Sequence, residues 1–178
     1  KTTFQLDARP NTIRYTYLRF DLSDVPLDML SSIYFRVTTY TIDDSVDGSE
    51  NFTVTLLPQE QEDYDITQLS HAYAVEEGLD TAGELLYTSP GVTASMTYLS
   101  DNILDAIKQH LQENTGDSVI ALRIGASAGV GYVIHGTEAG EDLCPALVVE
   151  TAAAYDHFEE ANRTLSEQIG TTIAKDLD

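Results

Sequence analysis

The chain has 178 residues, enough for one domain of ordinary size that buries roughly two-thirds of its unfolded surface. Thirty Asp and Glu against nine Lys and Arg give a net charge of −21, which repels phosphate backbones and anionic headgroups and argues against nucleic acid as a partner. No run approaches the length of a membrane span, so membrane insertion is not expected, and the single Cys144, beside Pro145 in an apolar run, reads as a buried thiol with no intrachain disulfide.

Phe4 and Leu6 alternate with polar neighbours ahead of Pro10 and Asn11, which suggests a short strand. The stretch from Tyr15 to Tyr40 carries the clearest signal. Leu18, Phe20 and Leu22 fall on one face and Tyr17, Arg19 and Asp21 on the other, because successive strand side chains point to opposite sides. Ile33, Phe35 and Val37 repeat the apolar face, with Ser32, Tyr34, Arg36, Thr38 and Tyr40 opposite, and Pro26 between the two runs marks a loop. An acidic loop follows, then a strand in which Phe52, Val54 and Leu56 alternate with threonines.

From Gln59 to Gly83 the alternation lapses into a long connection with a short helix near Gln68 to Val75. Glu84 to Thr88 and Val92 to Leu99 read as strands. Ile103, Leu104, Ile107 and Leu111 form one helical stripe, capped by Ser100 or Asp101 and stopped near Asn114-Thr115-Gly116. Ile120, Leu122 and Ile124 alternate with Val119, Ala121 and Arg123, and strands at Tyr132 to Ile134 and Ala146 to Glu150 complete the pattern.

This sequence of elements predicts an all-β fold, an antiparallel β-sandwich of jelly-roll type with one short inserted helix. The sandwich occupies residues 1–151, and Phe158, Ala161, Leu165 and Ile169 have the spacing of a C-terminal helical extension over 152–178, a linker helix or the start of the next domain. Lys1-Thr2-Thr3-Phe4 is not the start of a signal peptide, and the chain reads as part of a longer exported protein.

Three stretches in order, RYTYLRFDLSDVP, MTYLSDNILDAIKQHL running into NTGDSVIALRI, and YVIHGTEAGEDLCPALVVE, resemble the DNRLRE-type β-sandwich domains, which include the family 96 carbohydrate-binding modules. The resemblance covers roughly residues 4 to 150. It implies a piece clipped at its amino end, since family members carry further strands there. It also implies a non-catalytic module, extracellular or at the cell surface, covalently linked to polysaccharide lyases, hydrolases or surface domains, whose ligands include uronate-containing glycans such as alginate. The chain departs from the family at His135-Gly136-Thr137-Glu138 and Pro145-Ala146-Leu147, where two basic residues are missing.

The residues themselves offer Arg14, Tyr17, Arg19, Tyr34, Arg36, Tyr40 and Arg123 for binding a polysaccharide: an Arg fork takes a carboxylate bidentately, and a Tyr ring covers a sugar face. Each Arg can instead pair with a nearby acid and each Tyr pad the sheet, which is what a structural or adhesive spacer requires. The two readings differ in whether Arg19, Arg36 and Tyr34 form an open patch. Asp43, Ser45, Asp47 and Glu50 place oxygen ligands around a loop with Gly48, the way a structural Ca²⁺ is wrapped, although Val54 stands where an EF-hand needs its last acid; a solvated acidic hairpin is the alternative. Asp63 with Asp65 is a second candidate pair. A small lyase or hydrolase requires His135, Glu138 and Tyr132 to converge on a cleft.

Overall fold

The computed structural model describes residues 2–9, 12–42, 50–65, 71–114, 118–127 and 131–151. Asp43, Ser45 and Asp47, and the helical extension over 152–178, lie outside them. The described residues form the expected all-β sandwich of two antiparallel sheets.

Sheet I contains β1 (Thr3–Arg9), β2 (Thr12–Arg14), β4 (Leu30–Ile42), β7 (Thr97–Leu99), β9 (Gly131–His135) and β10 (Ala146–Thr151). Its order is β10-β4-β9-β1-β2, with β7 also on β4. Sheet II is β3-β8-β5-β6, built from β3 (Thr16–Asp21), β8 (Val119–Ala126), β5 (Phe52–Leu56) and β6 (Glu84–Thr88). The period-two faces meet between the sheets: Leu18, Ile33, Phe35, Val37, Phe52, Val54, Ile120, Leu122, Ile124 and Ile134 belong to one buried cluster. Fully burying a side chain such as Phe35 or Phe52, each 1% exposed, contributes roughly 1.5–3 kcal/mol.

The 13-residue β4 is too long for one partner. Its upper part pairs with β9, from Ile42 opposite Tyr132 to Thr39 opposite Ile134, and its lower part with β10, from Arg36 opposite Ala146 to Leu30 opposite Thr151. An excursion over 136–145 separates these two partners. Past β7, side chains take over the ladder: Ser100 Oγ accepts from Phe35 N at 2.8 Å, and Asn102 Oδ1 accepts from Ile33 N at 3.0 Å. Asn102 Oδ1 also accepts from Leu104 N at 3.1 Å, so it opens α2 (Leu104–Glu113). The expected caps Ser100 and Asp101 do not hold this helix end, because Ser100 is spent on the sheet. Leu104 and Ile107 carry α2 into the core.

Other sequence expectations are also corrected. Val92 to Leu99 is strand only from Thr97, since Thr39 Oγ1 accepts from Met96 N at 3.0 Å and holds the preceding residues as a turn. The connection between the first two strong strands contains a 3-10 turn at Leu27–Met29, and β2 lies where the sequence predicts no strand. Cys144 is half-buried, its Sγ 3.6 Å from the Glu141 carbonyl, rather than enclosed.

Candidate functional site

The seven candidate residues do not share a surface. Tyr17, Arg19 and Arg123 lie on the outside of sheet II, opposite the core, in the register Tyr17 to Arg123 and Arg19 to Ala121. That face is covered. The connection from β5 to β6 folds over it through a 3-10 turn at Gln59–Gln61 and α1 (His71–Glu76), and Leu57, Tyr64, Ala74 and Leu79 bury Ala121 in a second apolar cluster with Tyr17 and Tyr73 against it.

The two arginines are consumed by this cover. Arg19 Nη1 donates to the Glu62 carbonyl at 3.0 Å and approaches Asp63 Oδ1 at 3.4 Å, and its guanidinium lies 5.4 Å from the centre of the Tyr64 ring. Arg123 Nη1 donates to the Leu79 carbonyl at 2.6 Å, with its guanidinium 5.3 Å from the Tyr15 ring. Tyr17 packs at 5.8 Å on Tyr64, and burial pushes both phenols above their ordinary pKa. A carbonyl on a guanidinium is a charge-assisted bond, so these contacts hold the cover down.

The outside of sheet I is different. Tyr34, Arg36, Thr38 and Tyr40 form a row along β4 of about 20 Å, with Ala146 opposite Arg36 and Val148 opposite Tyr34 on β10. The described residues build no apolar cluster on this side. Two residues of β4 face one of β9 between Thr39 and Thr41, so Tyr40 is the extra residue of a β-bulge. A bulge leaves its residue unpaired and re-aims the side chain. Tyr40 is 51% exposed and meets His135 edge to face at 5.2 Å. Arg36 donates through Nη2 to the carbonyls of Glu141 and Cys144 and so pins the 136–145 excursion, while its Nε is buried with no partner among the described residues. Arg14 lies farther across the same sheet on β2, exposed, donating to Gln5 Oε1.

Arg19, Arg36 and Tyr34 therefore do not form one patch: Arg19 belongs to sheet II and the other two to sheet I. The grouping that the alternation alone does not show is Tyr40 with His135 on the outside of sheet I; Tyr34 stands about 20 Å along the same side, with Thr38, 3% exposed, and the excursion held by Arg36 between them. Outward parity is readable for each residue, but it says nothing about which sheet a strand joins or what later covers it.

The enzymatic constellation does not assemble. Tyr132 and His135 are separated by an odd number of strand positions and face opposite sides of β9: Tyr132 is 3% exposed in the core and donates to the Asn51 carbonyl, while His135 lies outside against Tyr40. Glu138 is exposed in the excursion. His110 instead meets Glu62 at 2.6 Å. Of the calcium loop only Glu50 is described, half-buried, its carbonyl accepting from Val92 N at 2.8 Å. Asp63 faces Arg19, and the Asp65 amide donates to the Tyr73 hydroxyl at 3.0 Å. No group of three or more His, Cys, Asp or Glu among the described residues could hold a metal.

No family model matches the chain, and no curated protein matches it.

Proposed function

We propose that the chain is a non-catalytic carbohydrate-binding module that grips a polysaccharide on the outer face of sheet I and serves linked catalytic or surface domains outside the cell. The observation that carries this reading is the bulge at Tyr40, which lifts a half-exposed aromatic ring beside His135 on a sheet face that no second apolar cluster of the described residues covers. A Tyr ring offers an apolar body for a sugar face and a hydroxyl for its polar rim. Tyr34 extends the row, and Arg14 supplies a cation within the same sheet. Uronate-containing glycans are the acidic ligands that this cation suits. Against a net charge of −21, their binding should weaken steeply with salt. A structural Ca²⁺ on the loop containing Asp43, Ser45, Asp47 and Glu50 belongs to the same reading.

The experiment is a retention screen on soluble polysaccharides, uronates included, with calcium and then with chelator. The expected result is retention on at least one glycan, reduced about tenfold by Tyr40→Ala and left unchanged by Tyr17→Phe, which lies beneath the cover. A second reading, a structural or adhesive spacer, is favoured by one observation: Arg19, Arg36 and Arg123 are all committed to carbonyls of the chain itself. Absence of retention on every glycan, with an intact fold, would decide for the spacer.

A further inference from the structure

Of the five arginines among the described residues, Arg14 alone is bound to neither an acid nor a backbone carbonyl. Arg19, Arg36 and Arg123 donate to carbonyls of the chain, and Arg9 is bound to Asp7. Arg14 Nη1 donates to the neutral side chain of Gln5, and its Nε and Nη2 have no partner among the described residues. Those two nitrogens form an edge with which a guanidinium takes a carboxylate bidentately.

Register fixes where this edge lies. Phe4 and Leu6 pack in the core, so Gln5 and Asp7, their neighbours on β1, stand on the outside of sheet I. Arg14 pairs with Asp7 across the ladder from β1 to β2, and directly opposite residues share a face. Thr3, on the same side, pairs with His135. From His135 to Arg14 is two strands across and four residues along, roughly 16 Å, with Gln5 and Val133 between them. Asp7 does not claim Arg14. It is 3% exposed and accepts three bonds from Arg9, whose Nε lies beside Gly131, where a Cβ would come within 3.3 Å of it. An acid so buried needs a cation, and Arg9 meets that need. Arg14 is left as an exposed positive charge in a chain of net charge −21.

We infer that a glycan held at Tyr40 and His135 runs obliquely across β9 and β1 to β2, where Arg14 takes a sugar carboxylate on its Nε and Nη2 edge while Gln5 holds the guanidinium in place. This arrangement rests on the module reading, and it gives the polymer a direction and the site a residue that tells an acidic sugar from a neutral one. Along β4 the route from Tyr40 toward Tyr34 is interrupted by Thr38, which is 3% exposed. The route over Val133 and Gln5 stays on the outer face that β9, β1 and β2 share. Gln5 is a positioning residue, since it acts on the sugar only through Arg14.

The test is calorimetric titration of the full chain with alginate and with polygalacturonate, and with the same two polymers after their carboxyl groups have been reduced to alcohols. The parent should bind the native form of at least one polymer about tenfold more tightly than its reduced form, the worth of one charge-assisted contact. Arg14→Met should abolish that preference while binding the reduced polymer as the parent does, and Gln5→Leu should lower it at unchanged affinity for the reduced form. A parent that binds both forms equally, or an Arg14→Met chain that keeps the preference or loses both forms alike, would overturn the assignment of Arg14 and leave the module reading standing. An unchanged preference in Gln5→Leu would overturn the role of Gln5. A parent that binds none of these polymers would overturn the module reading and the acidic-sugar site with it.

Discussion

His110 Nε2 stands 2.6 Å from Glu62 Oε1, and this contact ties helix α2 to the segment that covers sheet II. The two side chains are 11% and 4% exposed, so the pair is largely withdrawn from water. Removing one partner of such a pair strands the other, which costs more than the pair itself contributes. His110→Leu is expected to lose roughly 3 kcal/mol, and combining it with Glu62→Leu should recover most of the loss. Urea unfolding of the two variants measures this; a single variant as stable as the parent would show that the pair is incidental.

Acid should weaken the fold through Asp7. Its side chain is 3% exposed and accepts from Arg9 Nε at 3.0 Å, Arg9 Nη2 at 2.5 Å and the Arg9 amide at 3.1 Å. The Arg9 side chain, aided by the amide bond, holds the carboxyl below its ordinary value of 3.8 against the opposing effect of burial. A depressed folded-state pKa contributes stability that is present above the unfolded value and disappears as pH falls through the folded one. Asp7→Asn should therefore be less stable than the parent at neutral pH, with the gap closing below about pH 4. Denaturant midpoints measured from pH 7 to pH 2 would show this, and a gap independent of pH would rule it out.

Gly83 brings the cover back to β6 with φ at +115°, and a Cβ there would run into the Leu56 carbonyl oxygen. Both the left-handed backbone and the crowding oppose any side chain. Gly83→Ala should cost roughly 3 kcal/mol, read from thermal or urea unfolding, whereas Gly140→Ala carries a similar positive φ but meets nothing within 4 Å and should cost less. Equal losses at the two positions would mean that the backbone conformation alone is responsible.

The alternation of Leu18, Phe20 and Leu22, and of Ile33, Phe35 and Val37, is enough to read two strands and the side that faces the core. The late helix is equally visible in Ile103, Leu104, Ile107 and Leu111. What the pattern does not carry is partnership between distant residues. Nothing local to Arg19 or Arg123 announces the carbonyls of Glu62 and Leu79, and His110 and Glu62 meet across 48 positions. The bulge at Tyr40 is likewise invisible, because it arises from how β4 and β9 register rather than from β4 alone.

Arg123 offers a way to loosen the cover without touching the core. Arg123→Met keeps much of the side-chain bulk against Tyr15 but removes the 2.6 Å bond to the Leu79 carbonyl. A bond from a charged donor is worth roughly 1.5–3 kcal/mol, so backbone amides between Tyr73 and Leu79 should exchange at least about tenfold faster. The amides of Val37 and Ile134, in the opposite sheet, should keep their protection. Uniform acceleration across both sheets would mean that the cover and the sandwich unfold together.

The way β1, β9, β4 and β10 run has a mechanical consequence. Each pairs antiparallel with the next, but the partners are staggered: β9 meets the upper part of β4, so Thr3, opposite His135, stands about level with Thr38, whereas Thr151 stands opposite Leu30. The two points are therefore roughly 26 Å apart along the strands. Tension between them is directed largely along sheet I and loads the bonds between β10 and β4 together in shear rather than one at a time. Pulling single molecules by Thr3 and Thr151 should give a rupture force close to that for Arg9 and Thr151, and a clearly lower force would mean that β10 peels. Held by Thr3 and Thr151, the sandwich resists load and acts as a stiff link.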